Sequence, residues 1–261
     1  MIKNRSKMSK EGIEMLTDER YMKILSMVQQ NGTVSVTEIS RQLGVSESTV
    51  RRDLLALADM KKLKKIHGGA SSISGSILYE ENDVGVKQLR NADAKERIGI
   101  YAADTIMKGD FVFIDAGTTT EKMIDHITQK DVVYVTNGFS HARALARKGL
   151  NVFILGGRLK SATEAVVGTE AVTALSKYNF TKCYLGANGV SADAGFTTPD
   201  TEEAAIKSAA SKNSYVTYVL ADSSKFGCIY AVTFSKLEDT VIITDKDPGK
   251  EYSGKALIKE A

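Results

Sequence analysis

The apolar positions along the chain follow two regimes. Between Thr17 and Leu57 they recur at helical spacing; from about residue 111 onward they gather into short runs separated by helical stretches. In the first regime Tyr21, Ile24, Leu25 and Val28 lie along one side of a helix over Thr17–Gln30, which Asn31-Gly32 ends. Ser35-Val36-Thr37-Glu38 fits a capping box opening a second helix, with Ile39 and Leu43 on its buried side and Gly44 as its stop. Ser46 offers an N-cap to a third helix, in which Val50, Leu54 and Leu57 repeat at i, i+4 and i+7. A short helix, a turn around Gly44 and a further helix in register make a helix-turn-helix layout. In that layout the start of the last helix meets base edges in the major groove. Here it offers Glu47, Ser48, Thr49, Arg51 and Arg52, with the cap Ser46 beside them. An arginine there either grips guanine through two hydrogen bonds or clamps a phosphate, and the pattern leaves open which of Arg51 and Arg52 does which.

Next comes Lys61-Lys62-Leu63-Lys64-Lys65-Ile66-His67-Gly68-Gly69. Leu63 and Ile66 can anchor a short β-hairpin whose outer surface carries Lys62, Lys64, Lys65 and His67. Such a wing is placed to touch phosphates that flank the groove. The Ser/Gly-rich stretch Ser71–Gly75 marks a boundary. The expected division is an extension over 1–15, a winged helix-turn-helix over 16–70, a linker over 71–92 and an α/β domain over 93–261.

In the second regime a helix resumes near Ala94, with Ile98, Ala102 and Ile106 on one face. Apolar runs at Phe111–Asp115, Val132–Thr136, Val152–Leu155, Cys183–Leu185, Tyr215–Leu220 and Val241–Thr244 then alternate with helical stretches, one near 166–176 and another near 200–212. Buried strands alternating with helices predict a mostly parallel, Rossmann-like sheet covered on both faces. Five of the runs end in small or polar loops: Asp115–Thr120, Thr136-Asn137-Gly138, Gly156-Gly157-Arg158, Gly186–Gly189 and Asp222–Lys225. Open α/β sheets bind ligands outside the carboxyl ends of their strands, so these loops can converge on one crevice. Gly117, Thr118, Thr119 and Thr120 open a helix and suit a phosphate. Lys225 supplies charge, while Asp115, Asn137, Gly157 and Asn188 can line or bond a polyol.

Charge sharpens the reading of the front end. Residues 1–70 carry 13 Lys+Arg against 8 Asp+Glu, although the whole chain is only +3. A basic front on a mildly acidic body is the asymmetry expected where one end meets a polyanion. No apolar run approaches a bilayer span, and residues 1–14 lack the apolar stretch of a secretory signal, so a cytoplasmic location and no membrane partner are expected. Cys183 and Cys228 are far apart, and His67, His126 and His141 are scattered, so neither a disulfide framework nor a metal site is expected. No Gly-x-Gly-x-x-Gly or Walker A sequence points to a nucleotide cofactor, and no cofactor is expected.

The run Val45-Ser46-Glu47-Ser48-Thr49-Val50-Arg51-Arg52-Asp53-Leu54, followed by His67-Gly68-Gly69-Ala70, resembles the N-terminal domain of the DeoR family of bacterial regulators. One departure is Lys61, where the family usually has glycine before the wing. The second half is similar to the family's sensor domain, whose fold is like that of ribose-5-phosphate isomerase. That similarity rests on Asp115–Thr120, Thr136-Asn137-Gly138, Leu155-Gly156-Gly157, Gly186–Val190, Gly195–Thr198, Glu203 with Lys207, and Ala221–Lys225. The resemblance implies a repressor of a sugar-utilisation operon that binds double-stranded operator DNA as a homodimer or homotetramer. A phosphorylated sugar would release it, with Glu203 and Lys207 joining the effector residues. The stretch Leu185–Phe226 resembles repressors of fructose operons, which implies fructose 1-phosphate.

The rival reading is a working sugar-phosphate isomerase. Aldose–ketose isomerisation needs a base beside the carbonyl and an acid or cation for the enediolate. Glu203, Asp222 and Lys225 are chemically capable, but the isomerase-type Asp-Gly-Ala-Asp loop here reads Leu185-Gly186-Ala187-Asn188, without either aspartate. No catalytic residue, and no enzyme, is therefore expected.

Overall fold

A computed structural model of the protein describes residues 17–60, 62–66, 68–71, 77–78 and 84–261. The expected extension 1–15, Lys61, His67 and residues 72–76 and 79–83 of the expected linker 71–92 lie outside the described residues. The chain divides into two compact units, Met1–Ile73 and Ser74–Ala261.

In the first unit α1 (Thr17–Asn31), α2 (Val36–Leu43) and α3 (Glu47–Asp59) are joined by β1 (Thr33–Ser35) and followed by the hairpin β2 (Lys64–Ile66) and β3 (Gly69–Ser71). Local chemistry sets the helix ends. The Ser35 side chain accepts from the Glu38 N–H at 3.1 Å, and Ser46 accepts from Thr49 N–H at 3.2 Å. Gly44 closes α2 at φ 67°, a left-handed conformation that costs glycine least. Ile24, Val28, Ile39, Val50, Leu54 and Leu57 form the shared core. The wing is a three-stranded antiparallel sheet in the order β1-β3-β2, so a strand absent from the sequence reading completes it. Gly69 has to be glycine: a Cβ there would lie 2.2 Å from the Val34 carbonyl oxygen.

The second unit opens with β4 (Ile77–Leu78), α4 (Val84–Leu89) and α5 (Ala92–Asp104). Its frame is a seven-stranded sheet made of β5 (Phe111–Ile114), β6 (Val133–Thr136), β7 (Asn151–Ile154), β10 (Phe180–Gly186), β13 (Ser214–Leu220), β16 (Val241–Thr244) and β17 (Leu257–Glu260). The order is β17-β16-β13-β10-β5-β6-β7, and every pairing is parallel. α6 (Thr118–His126) and α7 (Phe139–Arg147) follow β5 and β6. The hairpin β8 (Arg158–Lys160) and β9 (Ala165–Val167) precedes α8 (Thr169–Leu175), and α9 (Thr201–Lys212) leads into β13.

Alternate strand residues enter opposite layers, as a period of two requires. Val112, Ile114, Tyr134, Tyr184 and Leu220 pack with Ile98, Met123, Ile124 and Leu145 of α5, α6 and α7. Phe113, Val135, Cys183, Leu185 and Val219 pack on the other face with Ala171, Leu175, Ile206 and Ala210 of α8 and α9. That second face also carries a small antiparallel sheet of β11 (Gly189–Ser191), β12 (Gly195–Thr198) and β15 (Val232–Ser235). The short strand β14 (Ile229–Tyr230) pairs with β4, and α10 (Lys250–Ser253) precedes β17. The helix expected near 166–176 begins only at Thr169, because Ala165–Val167 pair antiparallel with β8. Among the described residues, no helix is long and apolar enough to cross a membrane.

Candidate functional site

In the first unit Arg20 of α1 reaches Asp53 of α3 through two hydrogen bonds, Nε to Oδ2 at 2.5 Å and a terminal nitrogen to Oδ1 at 3.0 Å. The pair fixes α3 against the bundle. Glu47 is held twice, accepting from Thr37 of α2 at 2.9 Å and from Arg51 at 2.8 Å. Ser46 is occupied by its cap and by the hydroxyls of Ser48 and Thr49. Ser46 and Glu47 thus position the helix start, while Arg51 and Arg52 are exposed beside Ser48. Lys62, Lys64 and Lys65 are exposed on and before β2, and the expected wing contact His67 lies outside the described residues.

In the second unit, β5, β6 and β7 proceed toward one edge of the sheet before the chain returns to place β10 on the other side of β5. The strand order therefore switches between β5 and β10, where a doubly wound sheet opens its crevice. Asp115 follows β5, and its Oδ2 accepts the Gly186 N–H at 3.1 Å. Lys207 of α9 donates to the same Oδ2 and, at 3.1 Å, to the Gly186 carbonyl. Its ammonium lies 5.6 Å from the centre of the Phe234 ring.

Several of the expected effector residues are satisfied by protein partners. Thr120 is fully buried; its hydroxyl accepts the Gly117 N–H at 3.0 Å and donates to the Asp115 carbonyl at 2.6 Å. Asn137 accepts from the Ala116 N–H at 3.0 Å and is buried. Glu203 accepts from Lys160 at 2.8 Å and from Thr163 at 2.9 Å. Asn188 accepts from the Thr198 hydroxyl at 3.1 Å. Gly157 sits just before β8, opposite the end of β9, with its Cβ position 2.7 Å from the Val167 carbonyl oxygen, so packing accounts for it. These residues build the crevice walls. Thr118 and Thr119 remain at the start of α6, the end of a helix that favours anions.

The structure adds two residues that the sequence reading missed. His141 of α7 packs against Gly138, Gly117 and Thr120. Its Nε2 lies 3.1 Å from both the Gly117 carbonyl and the Thr120 hydroxyl. Burial holds its pKa below the ordinary histidine value. Lys95 of α5 is 4% exposed and donates to the Lys87 carbonyl. Burial first, and then the charge of Lys225, pull its pKa down to about 8. Both could have been noticed as polar residues on apolar helical stripes, Lys95 with Ile98, Ala102 and Ile106, and His141 with Leu145.

Lys95 belongs to a cluster at the end of β13. The carboxylate of Asp222 raises the Lys95 pKa, while Lys225, Lys87 and Arg90 lower it, and Asp245 bonds Ser223 in the same turn. Asp222 Oδ1 accepts from Asn91 at 2.8 Å and from the Ser224 N–H at 3.1 Å. Asp222 Oδ2 is buried without a hydrogen-bond partner among the described residues. Lys225 is half-buried, and its ammonium bonds no described residue. Among the described residues, the ammonium groups of Lys95 and Lys225 near a carboxylate with a buried open acceptor suit a ligand that brings a phosphate and a hydroxyl together.

Two family models cover the chain. Residues 20–76 match the DeoR-like helix-turn-helix domain, and residues 90–246 match the DeoR C-terminal sensor domain. The chain is 43% identical over 249 residues to the uncharacterised HTH-type transcriptional regulator FruR of Bacillus subtilis (strain 168), covering 94% of this chain and 98% of that one. It is 35% identical to the lactose phosphotransferase system repressor of Staphylococcus epidermidis (strain ATCC 35984), covering 88% of this chain and 92% of that one. Among solved structures, ribose 5-phosphate isomerase A of Methanocaldococcus jannaschii is 15% identical, covering 52% of this chain and 55% of that one with a TM-score of 0.38. With both domain models matched in order and a relative aligned over nearly its whole length, the chain belongs to the DeoR family of transcriptional regulators.

Proposed function

We propose that the protein represses a sugar-utilisation operon and leaves its operator when a phosphorylated sugar binds the second unit. The observation that carries the effector half is Asp222 at the end of β13, its Oδ2 buried with no hydrogen-bond partner among the described residues, in the field of Lys95 and Lys225. A phosphate dianion would pair with Lys95 and Lys225, and an adjacent hydroxyl would satisfy Asp222 Oδ2. The start of α6, with Thr118 and Thr119, would contribute N–H groups from the end of β5, which β10 separates from β13. Asp115, Lys207, Glu203, Asn137 and Thr120 act as the frame that positions these groups.

Fructose 1-phosphate is the first candidate, because the relatives include one named FruR and because of the resemblance carried by Leu185–Phe226. For the DNA half, Ser48, Thr49, Arg51 and Arg52 enter the major groove, and Lys62, Lys64 and Lys65 contact phosphates. Homodimers or homotetramers in the cytoplasm fit two-half-site operators. The reading is of binding without turnover. Asp115 is engaged by Lys207, and Leu185 and Asn188 stand in the loop where isomerisation would need acids.

The effector must favour the state with low DNA affinity, by a coupling of roughly 1–3 kcal/mol. Calorimetry of the full chain with fructose 1-phosphate, fructose 6-phosphate and fructose tests the site. Binding of a phosphorylated sugar that Lys225→Ala abolishes supports it; equal binding by the variant refutes it.

A further inference from the structure

A second, separate cavity lies among α4, α6, α7 and the β8–β9 turn. It is an open depression of about 400 Å³, within the size range of small-molecule sites, lined by Gln88, Glu121, Ser140, Arg143, Ser161 and Glu164 among others. None of these residues belongs to the phosphate cluster described above. Among the described residues, no aromatic or large aliphatic side chain lines the cavity, so they offer an apolar ligand nothing to bury against. Among the described residues, two carboxylates and one guanidinium line it, a balance that disfavours a phosphate dianion. Among the described residues, no group of three or more His, Cys, Asp and Glu side chains is arranged to hold a metal ion.

The remaining chemistry is that of hydroxyl recognition, in which carboxylates accept and a guanidinium donates. Glu121 Oε2 accepts from Gln88 at 2.9 Å, which leaves its second oxygen open. The side chains of Arg143 and Glu164 make no hydrogen bond or ion pair with a described residue. The wall is preformed. Glu164 holds φ at 49°, a left-handed conformation uncommon for a side-chain-bearing residue, while its carbonyl accepts the Phe139 N–H at 2.9 Å. Its neighbour Thr163 is anchored on Glu203. We propose that this cavity binds a neutral polyol, an unphosphorylated sugar or sugar alcohol, independently of the phosphate-binding cluster. It is also placed to communicate with that cluster. Lys87 of α4 accepts from Lys95 through its carbonyl, while the next residue, Gln88, bonds Glu121.

Ligand-observed saturation-transfer NMR on the full-length chain tests this with D-fructose, D-mannitol and D-glucitol in turn, and with inorganic phosphate as competitor. The expected result is saturable binding of at least one polyol, undisturbed by saturating phosphate. Glu164→Gln and Arg143→Ala should each weaken it roughly tenfold, as loss of a hydrogen bond to a charged group does. Both substituted side chains are exposed, and thermal unfolding checks that each variant keeps its fold. Absence of saturable binding by all three polyols, displacement by phosphate, or unchanged affinity in both variants would overturn the proposal. Release of operator DNA by a sugar phosphate in a protein that binds no polyol would overturn this inference alone and leave the repressor reading standing.

Discussion

Lys207 of α9 and Asp115 at the end of β5 form an ion pair whose side chains are only 5% and 3% exposed, at the point where the strand order of the sheet reverses. Asp115 also holds the Gly186 N–H, so one carboxylate ties β5, β10 and α9 together. Removing one member leaves an uncompensated buried charge. Lys207→Met should cost about 3–5 kcal/mol in urea unfolding of the full chain, and adding Asp115→Asn should recover part of the loss. If the single variant unfolds like the wild type, the pair does not hold the crevice together.

The Arg20–Asp53 pair plays the corresponding part in the first unit. Asp53→Ala should destabilise that unit by about 2–4 kcal/mol, less than a wholly buried pair because Arg20 retains some solvent. Operator affinity should fall with it, equally for matched and scrambled sites, since Asp53 orients α3 without facing a base. A selective loss on the matched operator would place Asp53 in base readout instead.

Arg51 and Arg52 are expected to behave differently from the wing lysines. Arg51→Ala or Arg52→Ala should cost on the order of 1–3 kcal/mol and relax sequence preference if the residue reads a base. Lys64→Ala and Lys65→Ala should weaken binding to every sequence and lower the slope of log affinity against log salt by about 1 each. Binding to randomised operators at several salt concentrations separates the two patterns. Arg51 starts from an ion pair with Glu47, so Glu47→Gln should alter the contribution of Arg51 more than that of Arg52.

Lys95 predicts a pH dependence of defined sign. Its folded pKa is about 8, below the ordinary 10.5, so between these values the unfolded chain binds more protons. The burial cost of charged Lys95 is fully present below pH 8 and relieved as pH rises toward 10.5, so stability gains through that window. Sugar-phosphate affinity should move oppositely, falling as pH passes about 8 and the ammonium is lost. Lys95→Met should remove that fall while lowering affinity throughout. A pH profile of effector binding identical in wild type and variant would contradict the assignment.

What was legible in the sequence was local. Ser35, Gly44 and Ser46 mark helix ends through bonds made within a few residues, and the apolar runs of β5, β6, β10, β13 and β16 are long enough to stand out. Elements defined by distant partners were not. β1 has one buried residue, Val34, and exists through its pairing with β3; β17 reads as the mixed run Leu257-Ile258-Lys259-Glu260 and exists through β16. The strand-end loops were rightly located, yet Thr120 and Asn137 turn inward because their backbone neighbours need partners. Lys95, and the place of His141 beside Gly117 and Thr120, were not legible for the converse reason. Each occupies a core position of a helix, where only the three-dimensional arrangement shows a charged cluster or a loop to be held.

The most direct test is fluorescence anisotropy of the full-length protein on its own promoter DNA, titrated with fructose 1-phosphate, fructose 6-phosphate and fructose at fixed salt. The account predicts specific binding released by a phosphorylated sugar, with fructose 1-phosphate the most effective. Thr119→Val and Lys225→Ala should still bind the promoter and no longer respond. Release by unphosphorylated fructose at the same concentration, or a full response in Lys225→Ala, would contradict it.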